Sequence, residues 1–278
     1  METTKLLKNA ATLVALVREK TPLIHHLTNY VTVNDCANIV LACGGSPIMA
    51  DEINEVEEVI ALASAVILNI GTLNQRTLES MLAAGKKANE LGVPVILDPA
   101  GAGATTFRTD SCHLLLENVD LAVIRGNASE IKAVGGLEAT TLGVDVAPED
   151  LLSEANLASG KTIVQSLAHK FNCVVAMTGE VDLISHGKKT YALNNGHPWL
   201  AGITGTGCMC SSLIGTYSGI TTNYLEAALT GVMVLSIAGE IAAEEIKAGM
   251  ATFRTKLIDQ VSLLEPQVLL ERGKIREL

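Results

Sequence analysis

Aromatic residues are scarce in this chain of 278 residues, at 3% of the sequence, with a single tryptophan. Since 48% of the residues are nonetheless hydrophobic, the core must be built from Ala, Val, Leu and Ile, and a disordered chain is excluded. This length suits one large α/β domain or two small ones. Neither a low-complexity linker nor an internal repeat divides the sequence, so we expect a single domain over residues 1–278.

Positive charge is also in short supply. The chain has 20 Lys and Arg residues against 30 Asp and Glu, for a formal net charge of −10. No run of Lys or Arg offsets this, which argues against nucleic-acid binding. Because net charge would not attract an anionic substrate, any phosphate must be held locally, by backbone N–H groups, a few cations or a metal.

Export and membrane signals are missing from the pattern as well. The first 22 residues mix apolar with charged positions, which predicts an amphipathic helix rather than a signal peptide. The longest apolar stretch lies between Glu226 and Glu240, which is too short to span a bilayer and predicts a buried helix. We therefore expect no membrane contact and a cytoplasmic protein.

The six cysteines lack the spacing of a zinc site, since the only close pair is Cys208 and Cys210. Together with the missing export signal, this predicts reduced thiols. In a helix these two residues would point about 200° apart, so we do not expect them to act as a pair.

Apolar runs typical of strands alternate with helical patterns, which predicts a mostly parallel sheet covered by helices on both faces. The segments DLIS and TYAL are joined by a hairpin-like HGKK, which predicts an antiparallel edge. The predicted strands are 23–27, 65–70, 93–98, 120–125, 173–178, 182–185 and 190–193. The predicted helices are roughly 4–19, 31–43, 53–63, 74–91, 127–134, 151–170, 208–219, 223–248 and 253–268.

Polar or glycine-rich segments follow four of the predicted strands. Ligands of parallel sheets bind beyond the carboxyl ends of the strands, so these segments indicate one shared site. They are Gly71-Thr72, DPAGAGAT (98–105), RGNASE (125–130) and TGE (178–180).

The segment GITGTGCMC (202–210) places three glycines before a predicted helix. Glycines let backbone N–H groups converge on one point, and the helix dipole adds partial positive charge, so the turn predicts an anion hole. A plain glycine-rich loop that caps the helix is the structural alternative. Cys208 would be able to accept a proton there if the helix start acidified its thiol.

Three further side chains each have a functional and a structural interpretation. Asp98 is either a Mg²⁺ ligand or a turn-forming Asp before Pro. Asn127 and Glu130 predict a capping box, and the same helix start would place Glu130 near a metal. Arg125 ends an apolar run and needs a partner, either a nucleotide phosphate or a structural salt bridge.

Other apparent signals are set aside. The segment ANLASGKT (155–162) nearly matches a phosphate-binding loop, but its first glycine is replaced and no strand precedes it, so we expect a helix surface. Gly101 and Gly103 lack the spacing of a dinucleotide fingerprint. His25 and His26 alternate along a strand and are expected to be core histidines with satisfied hydrogen bonds.

Four segments together resemble the hydroxyethylthiazole kinase family of the ribokinase-like superfamily. The resemblance covers almost the whole chain, and its motifs are specific in order and spacing. The segments are HHLTNYVTVNDCANIVLACGGSPIMADEINEVEE (25–58), ILDPAGAGAT (96–105), IRGNASEI (124–131) and ITGTGCMCSSLIG (203–215).

The resemblance implies a ribokinase-like three-layer sandwich and the ATP-dependent phosphorylation, with Mg²⁺, of the primary alcohol of 5-(2-hydroxyethyl)-4-methylthiazole. The product would feed thiamine phosphate synthesis. A homotrimer with active sites between neighbouring subunits is also implied. By motif, Asp98 and Glu130 would hold Mg²⁺, while Arg125 and Thr178 would bind ATP.

The resemblance also assigns the acceptor side of the site. Gly205 would contact the substrate and begin the anion hole, and Met49 in SPIMAD would line the thiazole pocket. A methionine near a strand end is more often core, so Met49 rests on the motif alone. Asn29 is a secondary candidate for the thiazole. Cys208 stands where many relatives in the superfamily carry a catalytic aspartate.

Three alternative functions remain open at this point. The first is a kinase of the same superfamily for hydroxymethylpyrimidine or pyridoxal, which the anion-hole motif does not separate from the thiazole kinase. The second is an ADP-dependent dehydratase of a hydrated nicotinamide cofactor on a related fold. The third is a non-catalytic nucleotide-binding or thiol-sensing protein built around Cys208 and Cys210.

Overall fold

A nine-stranded sheet forms the middle layer of the protein. The computed structural model describes residues 2–137, 141–142, 145–146, 153–245 and 249–278. The strands of the sheet are β1 (Leu23–Leu27), β2 (Ser46–Met49), β3 (Ala65–Asn69), β4 (Val95–Asp98), β5 (Val123–Asn127), β8 (Val174–Thr178), β9 (Asp182–His186), β10 (Lys189–Leu193) and β11 (Ile275–Glu277), and β6 (Thr141–Leu142) pairs separately with β7 (Asp145–Val146).

The strand order is β11-β10-β9-β8-β5-β4-β3-β1-β2. The strands from β2 to β8 in this order pair in parallel. The last three strands pair antiparallel, with β9 and β10 joined by the short HGKK link. The predicted parallel sheet and its antiparallel edge are both confirmed.

Helices cover both faces of the sheet. On one face α1, α2, α8, α9, α10 and α11 contribute to one apolar cluster, and on the other α3 to α7 contribute to a second. The helices are α1 (Glu2–Lys20), α2 (Val33–Cys43), α3 (Val56–Ile60), α4 (Gln75–Leu91), α5 (Thr106–Asn118), α6 (Ala128–Gly135), α7 (Leu157–Phe171), α8 (Thr206–Ser218), α9 (Tyr224–Glu245), α10 (Met250–Leu263) and α11 (Pro266–Arg272), and two 3-10 turns cover Glu154–Asn156 and Pro198–Gly202. The predicted three-layer α/β sandwich is confirmed.

Several predicted bounds need correction. The sequence did not indicate β2, whose Pro47 is tolerated because β2 is an edge strand. It also missed α5, which buries only three residues, and β11, whose last two residues are exposed. The helix predicted over 253–268 is two helices, since Pro266 starts α11. Residues 151–152 and 246–248 of two other predicted helices lie outside the described residues.

The apolar stretch between Glu226 and Glu240 belongs to α9, which is 22 residues long. By length and composition the whole helix would be able to cross a membrane, whereas the stretch without a charged residue, on which the expectation rests, covers only 227–239. Its apolar surface is used inside the fold, because 78% of its most apolar window is buried. The predicted buried helix is confirmed.

Helix α8 is enclosed almost completely. Every residue from position 209 to position 218 is buried, against the sheet on one side and α9 on the other. Only its first turn faces a cavity. The glycine turn at the start of α8 therefore sits on a helix fixed in the core.

Candidate functional site

A cavity of about 660 Å³ opens where the carboxyl ends of β4 and β5 meet the first turn of α8. Seven of the side-chain and glycine positions singled out above line it: Asn29, Asp98, Arg125, Asn127, Glu130, Gly205 and Cys208. The structure thus brings three of the four predicted strand-end segments and the glycine turn around one cavity, whereas Thr178 is not in its lining. We call this space the α8 cavity.

The glycine turn has the geometry of an anion hole. Gly205 precedes α8 with φ +89°, and a side chain there would place its Cβ 2.6 Å from Cγ2 of Thr32, so only glycine fits. The first intrahelical bond runs from Met209 N to Gly205 O. The N–H groups of the preceding first-turn residues therefore have no partner within the helix and are available to an anion.

Arg125 lies directly against this turn. A methyl group at Gly207 would lie 2.5 Å from Nη1 of Arg125, so the guanidinium packs on the helix start. Its Nη2 donates to Oγ1 of Thr178 at 2.5 Å. Its Nε atom is buried and has no hydrogen-bond partner in the part of the chain that the structure describes. A buried donor left unpaired is costly, and an anion in the cavity would remove that cost.

Thr178 reaches the site through Arg125. It ends β8 and is not among the described residues that line the α8 cavity. Its hydroxyl lies between the Arg125 guanidinium and the Gly126 carbonyl, 3.4 Å away. The structure therefore brings the two predicted ATP ligands into contact with each other.

Two buried carboxylates face the same cavity. Asp98 Oδ2 accepts a hydrogen bond from Ser211 Oγ at 2.8 Å, and burial raises the pKa of Asp98. Burial also raises the pKa of Glu130 to about 7, and the nearby charge of Asp98 acts in the same direction. The two groups therefore repel each other when both are ionised, which favours a cation between or beside them.

Glu130 also has the capping role that the sequence predicts. Its Oε2 accepts from Asn127 N at 2.8 Å, and Asn127 Oδ1 accepts from Glu130 N at 2.9 Å. Its Oε1 accepts from Gly101 N at 2.9 Å. These bonds orient the carboxylate and leave further lone pairs, so the capping box does not compete with a role at the cavity.

The donor set suits Mg²⁺ only in part. No group of three or more His, Cys, Asp or Glu side chains placed to hold a metal occurs among the described residues. Mg²⁺ commonly takes one or two carboxylates and completes its shell with water and substrate phosphates. Asp98 and Glu130 fit that pattern beside an anion hole.

Cys208 occupies the third position of α8, half-buried at the cavity wall. Its sulfur accepts hydrogen bonds from Nδ2 of Asn29 and Nδ2 of Asn69, both at 3.3 Å. Burial, together with the nearby charge of Asp98, raises the pKa of the thiol to about 12. The condition for a proton-accepting role, a thiol acidified by the helix start, is therefore not met, because burial raises the pKa and Cys208 is a neutral thiol at pH 7.

Met49 lies in a second cavity, of about 330 Å³, at the ends of β1 and β2. Thr72 lines both cavities, so they adjoin there. His26 also borders this second cavity, which we call the Met49 cavity. The structure thus places Met49 next to the α8 cavity rather than inside it.

The two histidines are buried, as expected, and only one has both nitrogens paired. His26 contacts Ser212 Oγ through Nε2 at 3.1 Å and Ile24 O through Nδ1 at 3.1 Å. Burial lowers the pKa of His26 to about 4, so it is neutral. His25 Nε2 lies 2.7 Å from Ala50 O, whereas its Nδ1 has no partner among the described residues.

Sequence reasoning missed two side chains that organise this site. Asn69, the last residue of β3, contacts Cys208 and Asn29. Arg108, on α5, donates to the carbonyls of Ile70 and Gly71 after β3 and of Ala100 after β4. A polar residue ending an apolar strand was the available signal for Asn69. Arg108 had no such signal, because α5 itself was not predicted.

The fold and sequence match known kinases. A model of the hydroxyethylthiazole kinase family matches residues 14–267. The hydroxyethylthiazole kinase of Alkaliphilus oremlandii is 53% identical over 275 residues, which cover 98% of this chain and 99% of that protein. The solved structure of hydroxyethylthiazole kinase from Pyrococcus horikoshii has a TM-score of 0.87 at 39% identity, covering 98% of this chain and 99% of the other.

More distant structures share the architecture alone. A ribokinase-like superfamily protein from Enterococcus faecalis has a TM-score of 0.62 at 12% identity, with 88% of each chain covered. The two hydroxyethylthiazole kinases match nearly the whole chain at 53% and 39% sequence identity, well above the 12% of a protein that shares only the fold. The chain belongs to the hydroxyethylthiazole kinase family.

Proposed function

We propose that this kinase binds ATP and its alcohol substrate in the α8 cavity and there transfers the terminal phosphoryl group of ATP to the hydroxyethyl group of 5-(2-hydroxyethyl)-4-methylthiazole. The product is the thiazole phosphate used for thiamine phosphate synthesis. The buried Nε of Arg125, unpartnered among the described residues beside the open first turn of α8, is the observation that carries this proposal. A phosphate oxygen bound there would accept the hydrogen bond that this N–H group lacks.

The nucleotide phosphates lie, in this proposal, in the α8 cavity against both Arg125 and the turn at 205–208. Arg125 supplies charge-assisted hydrogen bonds, and Thr178 holds its guanidinium. The backbone N–H groups of the turn stabilise the phosphoryl oxygens during transfer. Positioning and charge stabilisation dominate this chemistry because the transition state is loose.

Asp98 and Glu130 would hold Mg²⁺ against these phosphates. Bound there, the ion supplies neutralisation of the phosphate charge. Ser211 and the amides of Gly101 and Asn127 orient the two carboxylates. A Mg²⁺ ion held by Asp98 and Glu130 would also relieve the repulsion between these two carboxylates.

The alcohol would meet the phosphate at Cys208. Its oxygen forms the new bond to phosphorus, the bond from phosphorus to the ADP oxygen breaks, and the alcohol proton passes to an oxygen of the transferred phosphoryl group or to solvent water. Since Cys208 is a neutral thiol, it serves as a hydrogen-bonding group for the alcohol and not as a resting thiolate base. Gly205 contacts the substrate, and the thiazole ring extends into the adjoining Met49 cavity.

One assay separates this function from its alternatives. ADP release from ATP is followed with hydroxyethylthiazole, hydroxymethylpyrimidine and pyridoxal in turn, and AMP release from ADP is followed with a hydrated nicotinamide cofactor, with and without dithiothreitol. We expect turnover with the thiazole alcohol and no requirement for the reductant. Preferential turnover of another substrate would overturn the assignment.

We further propose that the chain is one ribokinase-like domain that works in the cytoplasm as a homotrimer, with sites between subunits. One sheet takes strands from residue 23 to residue 277, which supports a single unit. Tyr30 is 79% exposed beside the Met49 cavity and Val31 is 58% exposed beside the α8 cavity, which supports a covering subunit. Light scattering should give three times the 29.2 kDa chain mass.

A further inference from the structure

The carboxamide of Asn69 connects the parts of the site that surround Cys208. Asn69 is buried at the end of β3, where it pairs in register with Asp98 of β4. Its Oδ1 accepts from Gly71 N at 2.9 Å and from Asn29 Nδ2 at 3.0 Å, and its Nδ2 donates to Cys208 Sγ at 3.3 Å. One side chain therefore contacts the loop after β3, the segment that precedes α2, and the thiol.

Backbone groups fix the orientation of both carboxamides. The N–H of Gly71 can only donate, so Oδ1 of Asn69 must face it and the NH₂ group must face the sulfur. In the same way Thr32 N donates to Oδ1 of Asn29 at 3.0 Å, which turns the Asn29 NH₂ group toward Asn69 and Cys208. Neither amide is free to flip.

The sulfur is consequently an acceptor toward both neighbours. A thiol has one hydrogen, and neither NH₂ group can accept it. The hydroxyl of Thr32 already donates to Asn29 Oδ1 at 3.0 Å. The Thr32 oxygen can still accept, so the S–H group has two acceptors within reach, Thr32 Oγ1 and a partner on the cavity side, which is where the alcohol would bind.

We propose that Asn69 is a positioning residue for phosphoryl transfer, which holds Cys208 so that its S–H group points at the substrate oxygen. This inference rests on the proposed function of the α8 cavity. A purely structural residue at this position has no need of a carboxamide, since the preceding four residues of β3 are apolar and buried. Burying an amide costs free energy unless the amide is hydrogen-bonded, and the hydrogen bonds of Asn69 go to groups that surround Cys208.

The test is a double-mutant cycle between Asn69 and Cys208. Asn69→Ala is expected to lower kcat by roughly tenfold to a hundredfold, with KM for ATP changed less than about twofold, because the thiol loses its alignment and the nucleotide contacts remain. In the Cys208→Ala background the same change should lower kcat by less than about twofold, since the group it positions is absent. An equal loss in both backgrounds, or an unchanged kcat for Asn69→Ala, overturns the proposal.

Two further variants separate positioning from folding. Asn69→Ser keeps a hydroxyl that can accept from Gly71 N but is too short to reach the sulfur, so it should fold and still lose kcat. Gln260→Ala removes another buried amide, which lies on α10 and donates to Glu245 at the end of α9 at 2.9 Å, and should lower the melting temperature without lowering kcat. A kcat loss in Gln260→Ala matching that of Asn69→Ser would overturn the proposal. Failure of the wild-type protein to phosphorylate the thiazole alcohol would instead refute the proposed function.

Discussion

Replacing Gly207 by alanine should disable nucleotide use while leaving the fold intact. The added methyl group would lie 2.5 Å from Nη1 and 3.2 Å from Nη2 of Arg125, well inside contact distance. Helix α8 is fixed in the core, so the guanidinium is the part that must move. Moving it breaks its bond to Thr178 and withdraws it from the phosphate site.

The size of the effect follows from the bond that is lost. A hydrogen bond to a charged group contributes about 1.5–3 kcal/mol, which corresponds to a loss of roughly 10- to 150-fold in kcat/KM for ATP. Loss of the bond to Thr178 should also lower the free energy of unfolding by about 1.5–3 kcal/mol, of which the helix preference of alanine over glycine offsets at most about 1 kcal/mol. Activity is therefore compared at a temperature where both proteins are folded.

The assay is ADP release against ATP concentration at saturating thiazole alcohol and Mg²⁺, alongside thermal unfolding. Gly207→Ala should add less than about twofold to the loss in an Arg125→Ala background, where the clash is absent. Gly249→Ala is the matched control, since φ there is −82° and no described atom outside its chain neighbours lies within 4 Å of the added methyl. A wild-type kcat/KM for Gly207→Ala would refute the placement of the phosphates against Arg125.

Three other predictions concern ionisable groups, two of them at the α8 cavity and one, Asp182, at the start of β9. Asp98→Asn and Glu130→Gln should each raise the Mg²⁺ concentration needed for half-maximal rate; metal titrations identical to the wild type would contradict metal binding. Cys208→Ser should be impaired but active, because a hydroxyl can also hydrogen-bond the alcohol, and Cys208→Asp should stay active; a fall in kcat on the order of 10⁶, as for a covalent nucleophile, would contradict this role. Burial raises the pKa of Asp182 to about 7, above its unfolded value, so the folded state retains a proton that the unfolded state releases. The free energy of unfolding therefore falls as the pH rises from 3.8 to about 7, and above that range Asp182 changes it no further. Asp182→Asn should flatten this slope in denaturant titrations. Parallel slopes for the two proteins would show that Asp182 does not titrate in that range.

Much of the fold could be predicted because its strands are continuous apolar runs. β3, β4 and β8 follow such runs closely, since both faces of a parallel sheet are buried. The elements that were missed have weak local signals. β2 contains a proline, and the buried side of α5 consists of Ser111, Cys112 and Leu115, which is too polar to give a clear helical period.

The site was predictable where a motif marks a strand end or a helix start. Asp98, Arg125 and Gly205 meet in one cavity for that reason. The state of Cys208 was not predictable, because the helix dipole is visible in the sequence whereas the burial that outweighs it depends on tertiary packing. Asn69 was missed for a similar reason, since its partners lie 40 and 139 positions away in the chain.

The enclosure of α8 bears on how the enzyme fluctuates. The helix that carries the catalytic turn has no solvent-facing residue from position 209 to position 218, so its amides can exchange hydrogen only when a large part of the protein opens. Motions that admit substrate must come from surface segments such as Tyr30 and Val31, whose exposure costs little to change. Substrate entry and the alignment of the anion hole are thus governed by separate parts of the molecule, with different opening free energies.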